Sequence, residues 1–165
     1  MHAEAQTATI ETPKTAANGT FMALTFELDG EFFAVDVANV HEVIDPLPLT
    51  IVPNADPFAP GLINARGSVV PVLDLQHRLG MKRSEQTPDT RYVVLETDDG
   101  EDRTKFAMIA DGVHEVVEID EAEIQPAPEL GLKWEPEYIR GIAQIDKALL
   151  IFLNTETIFR PIPLN

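Results

Sequence analysis

The chain contains no cysteine among its 165 residues, which removes disulfides, thiolate nucleophiles and thiolate metal sites together. Serine occurs only at Ser68 and Ser84, and Ser68 lies in Arg66-Gly67-Ser68-Val69 rather than in a nucleophile elbow. Basic residues are scarce. Lys plus Arg is 12 against 28 for Asp plus Glu, giving a net charge of −16 and a pI near 4.4. Too few bases remain to build the cationic face that a phosphate backbone or an anionic lipid surface requires. No apolar run approaches the roughly 20 residues of a membrane span. Residues 1–19 lack the basic and apolar regions of a signal peptide. Gly61, Gly67 and Gly80 are too dispersed for a phosphate-cradling loop. These absences exclude nucleic acid as a partner, exclude direct membrane insertion, and point to the cytoplasm.

What is present suits one globular domain. Apolar residues make up 44%, and the mean hydropathy is −0.05, enough for a core and far from the disordered regime. Residues 1–19 are rich in Ala, Thr and Glu without periodicity, and are expected to be a disordered tail. From Thr20 the pattern becomes β. Leu24-Thr25-Phe26-Glu27-Leu28 alternates apolar and polar residues, Asp29-Gly30 supplies a hairpin turn, and Phe32-Phe33-Ala34-Val35 returns. Further strands are expected over 68–73, 91–97, 105–110 and 149–153. Residues 45–60 carry Pro46, Pro48, Pro53, Pro57 and Pro60 and read mostly as extended loop. Helical signal is sparse: Asp74 caps a short helix that Gly80 stops.

An internal repeat is the most informative feature. Residues 33–44 align with residues 106–117, six of the twelve positions are identical, and Val-His-Glu-Val occurs in both at Val40 and Val113. Gly61 and Gly141 then each precede a capping residue, Asp74 and Asn154, by thirteen residues. Asn154 is expected to cap a second short helix that Pro161 ends. The register between repeats changes from 73 to 80 residues, so the second copy carries about seven extra residues. Each unit alone is small, so the two are expected to bury apolar surface against each other as two similar small β-barrels.

The acid–base groups assemble no catalytic site. His41-Glu42 and His114-Glu115 start like a zinc-protease motif, but Asp45 and Glu118 stand where its second histidine belongs. Both histidines therefore read as solvent-facing residues of repeated strands. Asp98-Asp99-Gly100-Glu101-Asp102 lacks the spacing of a calcium loop and reads as an acidic, solvated hairpin. The expectation is a non-enzyme without metal or cofactor.

The chain resembles the CheW-type coupling proteins of bacterial chemotaxis. The carrying motifs are Phe33-Ala34-Val35-Asp36-Val37 with Val40-x-Glu42-Val43, the segment from Pro53 to Leu75, and Asp111-Gly112-Val113-x-Glu115-Val116. Ile124-x-Pro126-x-Pro128 and Tyr138-Ile139-x-Gly141 follow, so the resemblance covers roughly residues 20–160 in order. It implies two similar five-stranded β-barrel subdomains packed as one domain over 20–160, with few short helices and a C-terminal tail at 161–165. It also implies a non-enzymatic adaptor that bridges the cytoplasmic tip of methyl-accepting chemoreceptors and the regulatory domain of the histidine kinase CheA, recruited to receptor arrays. Carried over by motif, Val40, Glu42, Asn64, Arg66 and Gly67 are the expected residues of partner contact and its support. Arg66 would offer a fork-shaped donor, and Glu42 would either meet a partner or hold Arg66. Val40 would lie near an apolar groove between the barrels that accepts the receptor's helical hairpin. Ala65, Ala59 and Pro60 depart from the usual family pattern.

Three other readings stay open on the residues alone. One is an adaptor of a chemosensory pathway that does not govern motility. Another is a stand-alone regulatory domain of a larger signalling protein, although residues 161–165 leave no room for a receiver domain and no kinase motif precedes the fold. The third is a small β-barrel enzyme or ligand-binding module. Arg66 itself, beside Gly67, is expected in a turn, where its loss would change stability by no more than about 0.5 kcal/mol.

Overall fold

Three hairpins are set by their turn residues. Asp29-Gly30, Arg66-Gly67 and Asp146-Lys147 all have positive φ at both positions (50° and 81°, 56° and 84°, 49° and 71°). That is the geometry of two-residue turns whose twist matches paired strands. They join β1 (Thr20–Leu28) to β2 (Glu31–Asp36), β5 (Gly61–Ala65) to β6 (Ser68–Leu73), and β10 (Ile139–Ile145) to β11 (Ala148–Leu153). The remaining strands are β3 (Val40–Ile44), β4 (Thr50–Ile51), β7 (Arg91–Asp98), β8 (Arg103–Ala110) and β9 (Gly112–Asp120). The computed structural model describes residues 19–82, 84–98, 103–126 and 135–159. Residues 1–18 of the tail expected at 1–19, the tail expected at 161–165, Pro128, Pro161 and the acidic tip at 99–102 lie outside those residues.

Two short helices are capped as the sequence implied. The Asp74 carboxylate accepts from the backbone N–H of His77 at the start of α1 (Leu75–Arg78), and Gly80 follows at φ 73°. The side-chain Oδ1 of Asn154 accepts from the backbone N–H of Glu156 at the start of α2 (Thr155–Ile158).

The strands form two sheets, in the orders β10-β11-β2-β1-β9 and β3-β7-β8-β6-β5-β4. Reading the second backwards and matching β1 to β7, β2 to β8, β3 to β9, β5 to β10 and β6 to β11 superposes the two orders. Even the two parallel pairings, β11 with β2 and β6 with β8, correspond. The mainly β fold with few short helices and two similar units is therefore present. Two details differ from the expectation. One sheet gains a sixth strand, β4, whose counterpart in the other is the single bridge from Gln125 to Ile142. The halves of the sequence also do not map onto the sheets: β1 and β2 join β9, β10 and β11, whereas β7 and β8 join β3 to β6. The repeats exchange strands rather than stacking as separate units.

Alternation within each strand divides the core into three parts. Leu24, Phe26, Phe33 and Val35 of one sheet meet Leu73, Val93, Leu95, Phe106 and Met108 of the other in a central cluster closed by Leu75 of α1 and Ile158 of α2. The opposite faces hold smaller clusters. Ile63, Val70, Val72, Tyr92 and Val94 pack within one sheet, and Ala23, Ala34, Ile119, Leu150 and Phe152 within the other. Both faces of both sheets are thus covered. Arg78 of α1 ties the helices together: its guanidinium lies 3.6 Å from the centroid of Phe58, and Nη1 donates to the Ile158 carbonyl at 2.8 Å.

Gly61 and Gly141 have a common reason. At each, the chain of the preceding connection crosses the strand so closely that a side chain does not fit. A Cβ at Gly61 would overlap the Thr50 carbonyl, and one at Gly141 would overlap the Ile124 side chain and stand 2.7 Å from the Gln125 carbonyl.

Candidate functional site

Four of the five expected site residues come together on one side of the six-stranded sheet. Asn64, Arg66 and Gly67 occupy the end and turn of the β5–β6 hairpin, and Glu42 projects from β3. Arg66 Nη2 lies 3.2 Å from Glu42 Oε1; the arginine side chain is 73% exposed and the glutamate only 10%. The ion pair therefore joins an edge strand, β3, to the turn of the β5–β6 hairpin, which is adjacent to it in neither sequence nor strand order. A largely buried carboxylate fixes one edge of the guanidinium and leaves much of its donor surface in solvent.

The neighbouring residues build this geometry. Asn64 Oδ1 accepts from the backbone N–H of Gly67 at 3.0 Å, which holds the turn. Asn64 and Gly67 thus set the position of Arg66. Val40 is placed differently from the expectation. It is 6% exposed and belongs to the central cluster, opposite Leu95. A side chain so enclosed supports β3 from beneath rather than lining an open groove.

The Val-His-Glu-Val repeat has a local explanation. β3 bulges between Val40 and Glu42 opposite β7, and β9 has the matching irregularity opposite β1 between Phe26 and Leu24. A bulge re-aims the extra side chain. His41 Nδ1 consequently approaches Glu96 Oε1 (3.6 Å), and His114 Nε2 approaches Glu27 Oε1 (3.3 Å). Each histidine meets a glutamate of the other repeat. Both are partly exposed, in keeping with strand histidines, and His114 also packs on the Phe32 ring at 5.3 Å. Among the described residues, no group of three or more His, Cys, Asp and Glu could hold a metal ion.

The pseudo-equivalence makes the site asymmetric. Glu115 is the counterpart of Glu42, and Asp146 is the counterpart of Arg66. Glu115 is exposed, and the turn that corresponds to Arg66-Gly67 is acidic at its first position. The five-stranded sheet thus has no counterpart of the Arg66–Glu42 pair at these two positions.

Sequence reasoning missed several exposed aliphatic residues. Val69, cross-strand from Asn64, is 67% exposed; Ile51 and Val52 at the β4 edge and Leu149 of β11 are exposed too. Val69 and Leu149 are equivalent positions. The available signal was the doublets Val69-Val70 and Leu149-Leu150, since alternation forces one member of each out of the core. Among the described residues, no helix is long and apolar enough to cross a membrane.

Comparison with known proteins agrees with this architecture. The family model described as CheW-like domain matches residues 22–162. A probable chemotaxis protein CheW of Rhizobium etli is 31% identical over 136 residues, covering 82% of this chain and 85% of the relative. Chemotaxis protein CheW of Bacillus subtilis is 30% identical over 135 residues, covering 82% and 84%. The crystal structure of the scaffolding protein TtCheW from Thermoanaerobacter tengcongensis matches with a TM-score of 0.76 and 28% identity, covering 98% of this chain and 94% of that one.

Proposed function

The chain belongs to the CheW-like family, and on that premise we propose that it is a non-enzymatic chemotaxis adaptor coupling methyl-accepting chemoreceptors to the histidine kinase CheA. The domain over residues 20–160 acts in the cytoplasm and reaches receptor arrays by binding rather than by insertion. It contacts the cytoplasmic receptor tip and the kinase's regulatory domain, and it needs no cofactor. The observation that carries this reading is the Arg66–Glu42 pair: an exposed guanidinium held by a largely buried carboxylate. Such a group is already oriented before a partner arrives, so less side-chain entropy is lost on contact.

In this reading Arg66 touches the partner and Glu42 positions it. Asn64 and Gly67 maintain the turn, and Val40 maintains β3. The exposed Val69 supplies apolar area next to the charge, a combination suited to a protein surface. Size-exclusion chromatography of the purified chain with the kinase regulatory domain and a receptor cytoplasmic fragment tests the proposal. Co-elution with each supports it; separate elution from both rejects it.

A further inference from the structure

A second site lies away from the Arg66 hairpin, under the segment that follows α1. Residues 84–90 cross a cleft of about 140 Å³ whose lining includes Leu49, Ile109, Asp111, Glu85, Gln86 and Tyr92. Tyr92 is 5% exposed, yet its hydroxyl makes no hydrogen bond with any described residue. Tyr92 lines the cleft, so its hydroxyl has only cleft water to bond until a ligand supplies a partner. Burial also raises the Tyr92 pKa above its usual value, which keeps the phenol protonated.

The other polar residues of the lining are three carboxylates, Asp74, Glu85 and Asp111, beside the amides of Gln76 and Gln86 and the hydroxyls of Ser84 and Thr90. Asp111 Oδ2 accepts from the backbone N–H of Asp29 at 2.7 Å, from Gln76 Nε2 at 3.1 Å and from Ser84 Oγ at 2.9 Å. Those three bonds hold the carboxylate in place, while Oδ1 accepts none among the described residues. Glu85 adds an exposed carboxylate at the rim. No lysine, arginine or histidine is among the described residues of the lining. Leu49, Pro60 and Ile109 supply apolar wall.

We propose that this cleft binds an alkyl-guanidinium or alkyl-ammonium group, its donors directed to Asp111, Glu85 and the Tyr92 oxygen and its alkyl part against Leu49 and Ile109. Donors fit because ionised carboxylates only accept, and a cation fits because the described lining carries three carboxylates and no basic side chain. The group has two sources, a free small amine or guanidine and an arginine or lysine side chain of a protein partner. The site is independent of the Arg66 surface.

The test is NMR titration of the full chain with methylguanidinium chloride, following the ring signals of Tyr92 and the amide signals of Thr90 and Asp111. The site predicts saturable shifts confined to these groups, half-complete at millimolar ligand, that sodium chloride and sodium acetate at equal strength do not reproduce. Tyr92→Phe loses no existing hydrogen bond and so stays folded; it and Glu85→Gln should each weaken binding at least threefold, read from the amide signals. Titration with N-acetyl-arginine methylamide separates the sources. Equal or tighter binding indicates a side chain as the natural occupant, and binding of methylguanidinium alone indicates a free small molecule. Non-saturable shifts or shifts equal to those with sodium chloride would show that the cleft holds only water, and unchanged binding in both variants would place the ligand on other groups; each of these outcomes overturns the proposal.

Discussion

Arg66 and Glu42 stand 3.2 Å apart across the six-stranded sheet, the one mostly in solvent and the other mostly out of it. This relationship alters what the arginine contributes. An isolated turn arginine would be dispensable for folding, but loss of this one leaves a poorly hydrated carboxylate without its cation. Its own exposure limits the cost, since water screens the pair. Arg66→Ala should lower stability by about 1 kcal/mol, more than the 0.5 kcal/mol of an ordinary surface site. Urea melts of the two proteins check this.

Arg66→Gly separates folding from binding. The backbone at residue 66 has φ 56°, a conformation that favours glycine by about 1 kcal/mol. That gain offsets the lost ion pair, so stability should stay within about 0.5 kcal/mol of the parent while partner affinity falls. Arg66→Lys should recover only part of the affinity, because an ammonium lacks the planar fork. Full recovery by lysine would reduce the role of Arg66 to charge alone.

Exchange of strands between the repeats predicts that neither half folds alone. A fragment of residues 20–90 keeps the β1–β2 and β5–β6 hairpins but loses β9, β10 and β11 from one sheet and β7 and β8 from the other. Isolated hairpins are marginal in water. The fragment should show no cooperative melt by circular dichroism, and mixing it with residues 91–160 should restore one. A folded, cooperatively melting fragment would contradict the exchanged topology.

The paired glycines give a third check. Gly61→Ala forces a methyl against the Thr50 backbone and should destabilise by about 1–3 kcal/mol. Gly141→Ala should cost less, because part of its obstruction is the movable Ile124 side chain. Thermal melts of both variants would reveal the order, and a larger loss at Gly141 would run against it.

Residue patterns revealed these glycines, both helix caps and the Val-His-Glu-Val repeat, since each depends on short-range chemistry that leaves a local trace. Asp74 and Asn154 cap because their side chains reach the next turn, whatever the fold does elsewhere. The repeat also signalled two similar units. It carried no information about which strands pair, because β11 joins β2 over more than a hundred residues and the sheets share one apolar alphabet. The site divided in the same way. The Arg66 turn was readable from Gly67, whereas the burial of Val40 depends on the pairing of β3 with β7, and the approach of Glu42 to Arg66 depends on bringing β3 to a hairpin that is not its neighbour in the sheet.

Calorimetric titration of the parent and Arg66→Gly chains with the kinase regulatory domain and with a receptor cytoplasmic fragment tests the adaptor proposal most directly. The parent should bind both, and Arg66→Gly, equally stable, should lose about 2 kcal/mol or more of affinity for at least one of them. Failure of the parent to bind either partner, or unchanged affinity for both in Arg66→Gly, would contradict the account.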